Sequence, residues 1–188
     1  MPIVELHLLK GYGVDEKRRL HQALTDAVRL VVPAAPDAIT VMVHEMESDN
    51  YSRGGRHRSG APALPDPVDI VRRFLSAMEA REIDKAEAML ATGFSMRFPG
   101  TEPMTTLTQL LDWARPRYRF VRKTYDGFDA LQGPESAAIV YCRGTLSGEW
   151  PDGTAFQNIR FIDRFEIEAG RITQQDVWND IAEVRAQA

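Results

Sequence analysis

The chain has 188 residues, 44% hydrophobic and 27% charged, which is the composition of an ordinary globular protein of one large or two small domains. A net charge of -4 leaves no electrostatic footprint for nucleic acid or an anionic membrane surface, and no apolar run approaches the ~18 residues that span a bilayer. The N-terminus has no basic-then-apolar leader, and the single cysteine, Cys142, cannot form an internal disulfide, so a cytoplasmic location is expected.

Pro2 stands directly behind Met1 and ahead of a strand-like run, Ile3–Leu9. A small second residue permits removal of Met1, which leaves Pro2 as a free secondary amine. A free α-amine titrates near ~8, and shelter from water lowers that value, so such a proline can serve as a neutral base. Gly11-Tyr-Gly13 forms a turn. Asp15 and Glu16 then open a helix whose stripe is Leu20, Ala23, Leu24, Ala27, Val28 and Val31. Pro33-Ala-Ala-Pro36 stops it, and Ile39, Val41 and Val43 alternate in a second strand. Strands joined through a helix are parallel. About 60 residues in a β-α-β arrangement cannot close a large core alone and need other copies or the following block to cover the sheet.

The character of the chain changes near residue 60. His7, His21, His44 and His57 all precede that point, and Trp113, Trp150 and Trp178 all follow it. The histidine spacing matches no metal motif, so the histidines read as structural. The boundaries expected are a first domain over 1–58, a linker over 59–66 rich in Pro, Gly and small residues, and a second domain over 67–188.

The second block opens with a helix capped by Asp66, with Pro67 at its first position and Val68, Val71, Phe74, Leu75 and Met78 as its stripe. A short helix over 84–90, a short strand over 95–98 and a helix over 106–115 follow. The period then becomes two. Strands are expected over 117–128, 136–150, 155–168 and 172–178, with turns at Gln132-Gly-Pro134, Pro151-Asp-Gly153 and Ala169-Gly170. Helices followed by a curved antiparallel meander make an α+β layout that encloses a pocket. Ile159, Phe161, Asp163, Phe165 and Ile167 share one strand face, which sets a carboxylate among apolar neighbours. Asp163 is suited there to acid–base work on an enolisable ketone; the alternative is a structural ion pair with Arg97 or Arg143. The basic run from Arg115 to Lys123 reads as a solvated strand face, and Cys142 as buried filler.

Three stretches carry a family resemblance in the first block: Pro2-Ile3 with its strand, Leu6-His-Leu-Leu-Lys-Gly11, and Val43-His-Glu-Met46 followed by Asn50-Tyr-Ser-Arg-Gly-Gly55. This block resembles the 4-oxalocrotonate tautomerase family, without a gap from Pro2 to about Arg58. The resemblance implies Pro2 as general base in keto-enol isomerisation of a small carbonyl compound, Tyr51 as the aromatic lining the pocket, and assembly of β-α-β units into homo-oligomers. No metal or organic cofactor is expected, because a base and oxyanion donors suffice for keto-enol chemistry. Where the best-known members carry two carboxylate-binding arginines, this chain has Tyr12 and Thr40. Neither can grip a carboxylate bidentately, so the resemblance does not extend to a dicarboxylate substrate. Arg53, Arg56 and Arg58 are the nearby cations, and Tyr12 is a candidate donor to an enolate oxygen.

Asp69-Ile-Val-Arg-Arg-Phe-Leu75, Phe94-Ser-Met-Arg-Phe-Pro-Gly100 and the run from Asn158 to Ile172 give the second block a resemblance to the SnoaL-like branch of the nuclear transport factor 2 superfamily. That implies a cone-shaped α+β barrel, in a superfamily that holds cyclases, isomerases and non-enzymes. Two further readings therefore stand beside the tautomerase. One is a cyclase or isomerase working through Asp163. The other is a ligand-binding protein whose first block drives assembly.

Overall fold

The computed structural model describes residues 1–133 and 137–187, with side chains to Arg185. The expected turn at Pro134 and strand start at Ser136 lie outside the described residues. The chain divides into two compact units, Met1–Ala63 and Leu64–Ala188.

In the first unit, β1 (Ile3–Leu9) and β2 (Thr40–Met46) pair in parallel, in register from Ile3 opposite Thr40 to Leu9 opposite Met46. Helix α1 (Val14–Arg29) connects them, and a two-residue hairpin pair, β3 (Ser52–Arg53) and β4 (Arg56–His57), follows. The sheet has two unlike faces. Val41, Val43 and Glu45 alternate onto one, and Glu45 binds Lys17 of α1 at 2.9 Å, so this is the face that the helix covers. Ile3, Glu5 and His7, beside Thr40, Met42 and His44, occupy the other. The helix stripe is narrower than expected. Leu20, Leu24 and Val28 are half-buried, Ala23 and Ala27 are exposed, and Val31 lies beyond the helix end. Not one of residues 1–63 is buried.

The second unit has a real interior. Helix α2 (Pro67–Glu79) is capped by Asp66, whose Oδ1 accepts from the Val68 N–H at 2.9 Å, and it buries Ile70, Val71, Phe74, Leu75 and Ala77. Helix α3 (Ile83–Glu87) is shorter than the period suggests, because Leu90 already belongs to β5 (Leu90–Arg97). Helix α4 (Leu107–Ala114) opens with a reciprocal capping box between Thr106 and Gln109. Four long strands follow: β6 (Phe120–Gln132), β7 (Ala138–Glu149), β8 (Ala155–Glu168) and β9 (Arg171–Asn179). A C-terminal helix, α5 (Ile181–Gln187), ends the chain.

The sheet order is β5-β9-β8-β7-β6. The meander is antiparallel as expected, but β5 joins its edge in parallel with β9. Register shifts at Tyr125/Gly127, Leu146/Gly148 and Glu166/Ile167 bend the sheet around α2 and α4. Asn158, with φ at +61°, supplies the extra residue that resets alternation in β8 between Phe156 and Ile159. Among the described residues, no helix is long and apolar enough to cross a membrane.

Candidate active sites in the two units

In the first unit, Pro2 is half-buried at the head of β1, and its carbonyl accepts from the Thr40 N–H at 3.0 Å. Parallel pairing forces this, because it brings the starts of both strands to one end. Tyr12 and Tyr51 lie at the other end. They line a hollow with His7, Leu9, Leu20 and Met46, and the Tyr51 hydroxyl accepts from Arg53 Nε at 3.0 Å. Seven residues of extended chain separate the two ends, a span of ~20 Å. A single copy thus pairs Pro2 with Thr40 and Tyr12 with Tyr51, but does not bring the four together. Arg56 and Arg58 are exposed.

In the second unit, α2, α4 and β6 enclose a cavity of about 300 Å³. Its walls are mainly apolar, from Phe74, Leu75, Met78, Leu110, Val121 and Tyr125, and Arg81 and Arg122 are its other cationic lining residues beside Lys123. Lys123 and Gln175 are polar residues of the lining. The Lys123 ammonium pairs with Oδ2 of Asp163, a carboxylate with no solvent exposure, and sits 4.4 Å from the centre of the Phe161 ring. Gln175 Nε2 donates to the same Oδ2 at 3.4 Å. Asp163 Oδ1 and Gln175 Oε1 are buried with no hydrogen-bond partner among the described residues. One of these acceptors is on Gln175, which lines the cavity, and the other on Asp163, which lies behind the lining residue Lys123.

The low-polarity surroundings show in the neighbouring acids. Burial, reinforced by the Asp163 charge, pushes the Cys142 thiol from 9.0 up to about 12, so it is no nucleophile. Burial also raises the Tyr125 phenol, helped by Cys142, Asp163 and Glu79, and raises Tyr118.

Neither expected arginine is the partner of Asp163. Arg143 follows the buried Cys142 in β7 and so emerges on the opposite face, where it pairs with Asp129. Arg97, beside the buried Met96, is exposed for the same reason. The partner is Lys123, which the sequence pattern alone places on a solvated strand face. Strand β6 begins only at Phe120, so Arg117 and Arg119 do not set its phase. Val121, Lys123 and Tyr125 turn inward while Phe120 is 41% exposed.

The sequence profile described as "Tautomerase enzyme" matches residues 2–58, and the one described as "SnoaL-like domain" matches residues 71–175. A probable tautomerase of Halalkalibacterium halodurans is 37% identical over 59 residues, covering 31% of this chain and 97% of that protein. The 2-hydroxymuconate tautomerase of Bacillus subtilis strain 168 is 34% identical over 59 residues, covering 31% and 95%. Among solved structures, an NTF2-like protein of unknown function from Burkholderia pseudomallei K96243 is 16% identical. It covers 63% of this chain and 94% of its own, with a TM-score of 0.54. TerC, co-crystallised with polyporic acid, is 11% identical, covers 63% and 95%, and has a TM-score of 0.52. At these identities the structural likeness is one of fold. The chain belongs to the tautomerase family over residues 2–58 and to the SnoaL-like domain family over residues 71–175.

Proposed function

We propose that this protein is a keto-enol tautomerase acting on a small enolisable carbonyl compound, with the free N-terminal amine of Pro2 as general base after removal of Met1. The membership of residues 2–58 in the tautomerase family carries the reading, and the position of Pro2 at the head of β1, its carbonyl accepting from the Thr40 N–H, is compatible with it. The amine takes a proton from the enol hydroxyl or from the acidic carbon, and the conjugate ammonium returns it to the other atom, so no proton is lost overall. Donors near the developing enolate oxygen, backbone N–H groups or the Tyr12 hydroxyl, stabilise the charge between the two transfers. With Tyr12 and Thr40 in place of arginines, a monocarboxylate or neutral carbonyl compound is the fitting substrate.

The separation of Pro2 from Tyr12 and Tyr51 requires a second copy to supply the tyrosines. A unit without a buried residue is suited to such self-association, as are Ile3 and Val14, 60% and 72% exposed.

A second reading places isomerase or cyclase chemistry in the second unit. A buried carboxylate, Asp163, bound to the cavity-lining Lys123 and Gln175, favours it. One experiment separates the two: intact mass of the untagged protein, then kinetics on phenylenolpyruvate with wild type, Pro2→Ala and Asp163→Asn. The proline mechanism predicts a chain lacking Met1, a loss of ~100-fold or more in kcat/KM for Pro2→Ala and little change for Asp163→Asn. A retained Met1, or equal rates for wild type and Pro2→Ala, refutes it.

A further inference from the structure

Parallel pairing in register sets His7 directly opposite His44, and Glu5 lies two residues before His7 on the same face. The two imidazole rings stack with centres 4.8 Å apart and planes inclined by 18°. One ligand atom from each of Glu5, His7 and His44 lies within 4.8 Å of the other two, and all three residues are exposed. Among the described residues, this is the one place where three potential metal-ligating side chains converge. The Glu5 carboxylate makes no ion pair or side-chain hydrogen bond among the described residues, and Ile3, Thr40 and Met42 bring no compensating charge to the face. A carboxylate and two imidazoles thus converge on one face of the sheet.

We propose that Glu5, His7 and His44 form a binding site for a divalent first-row transition ion, Zn²⁺ in the first instance. Three side chains that each reach a tetrahedral ion at about 2.1 Å hold their ligand atoms ~3.4 Å apart. Closing the present arrangement asks for shifts of at most about 1.4 Å. Rotation about side-chain bonds supplies that, because both rings are exposed in the single chain and must splay from their stack to aim both nitrogens at one point. The backbone stays in place, since the paired strands already fix the three Cα positions. Two nitrogens and one carboxylate oxygen favour Zn²⁺, Co²⁺, Ni²⁺ or Cu²⁺ over Mg²⁺ and Ca²⁺. The fourth coordination position is left for water or a ligand oxygen. The site does not depend on the chemistry of Pro2.

The test is titration of the untagged full-length protein with Zn²⁺ by calorimetry and with Co²⁺ by visible absorption. The variants are Glu5→Gln, His7→Asn, His44→Asn and, as a control on α1, His21→Asn, with circular dichroism to confirm folding. The site predicts saturable binding of up to one ion per chain, the d–d bands of tetrahedral Co²⁺, and no competition from millimolar Mg²⁺. Each of the three site substitutions lowers affinity ~10-fold or more, and His21→Asn leaves it unchanged. Absence of saturable binding overturns the proposal, as does binding that survives in folded His7→Asn and His44→Asn or falls equally in His21→Asn. The small Glu5→Gln change keeps the test decisive should a histidine variant fail to fold.

Discussion

Replacing Lys123 by Met removes the cation that neutralises Asp163 while keeping the length and apolar stem of the side chain. Among the described residues, Asp163 has no solvent exposure, one oxygen without a hydrogen-bond partner, and a second oxygen that would keep only the 3.4 Å contact from Gln175. Breaking a buried ion pair from one side costs about 3–5 kcal/mol, because the remaining charge is stranded. Lys123 is itself 20% exposed at the cavity wall, so water can reach the vacated position, and ~3 kcal/mol is the fitting figure. The tryptophans Trp113, Trp150 and Trp178 all lie in the second unit, so their fluorescence follows the unfolding of that unit alone. With a urea slope of ~1.5 kcal/mol per molar, the midpoint falls by ~2 M. The double variant Lys123→Met/Asp163→Asn removes charge from both sides and recovers at least half of the loss. A single variant within ~0.5 kcal/mol of wild type, the range of an ordinary surface change, refutes the idea that this pair is a coupled buried unit.

Gly144→Ala tests the close approach of β6 to β7. A Cβ there would stand 1.9 Å from the Thr124 carbonyl oxygen and 3.0 Å from the Tyr125 Cα, both backbone atoms, so a loss of ~2 kcal/mol or more is expected in the same urea assay. Cys142 predicts an alkaline limit. Its folded thiol is raised from 9.0 to about 12, so the unfolded chain releases that proton first, and wild type loses stability relative to Cys142→Ala as pH rises from 9 towards 12. Parallel pH profiles for the two proteins would contradict the burial of that thiol.

Much of the second unit can be read from the sequence, and the reasons are local. Strand β8 alternates strictly from Ile159 to Ile167, so the inward position of Asp163 follows from counting by two. Asp66 with Pro67, and Thr106 with Gln109, mark helix starts through short-range hydrogen bonds. The partner of Asp163 is not local. Lys123 reaches it from β6 across the intervening β7, and its inward aim depends on where β6 begins rather than on any pattern in the basic run around it. The edge position of β5 is hidden likewise, because a parallel pairing across more than 70 residues leaves no mark in either segment. In the first unit, alternation separates the two faces of the sheet, but not the offset between its strands. A slip of one residue would move His44 to the helix-covered face and dissolve the Glu5, His7 and His44 cluster.

A first unit with no interior has a consequence for dosage. On the self-association proposed above, such a module would hold its shape through neighbouring copies, and its order would rise and fall with the abundance of the chain. Dilution would then loosen the first unit while the second, with its own core, persists, and activity per chain would climb with concentration before levelling off.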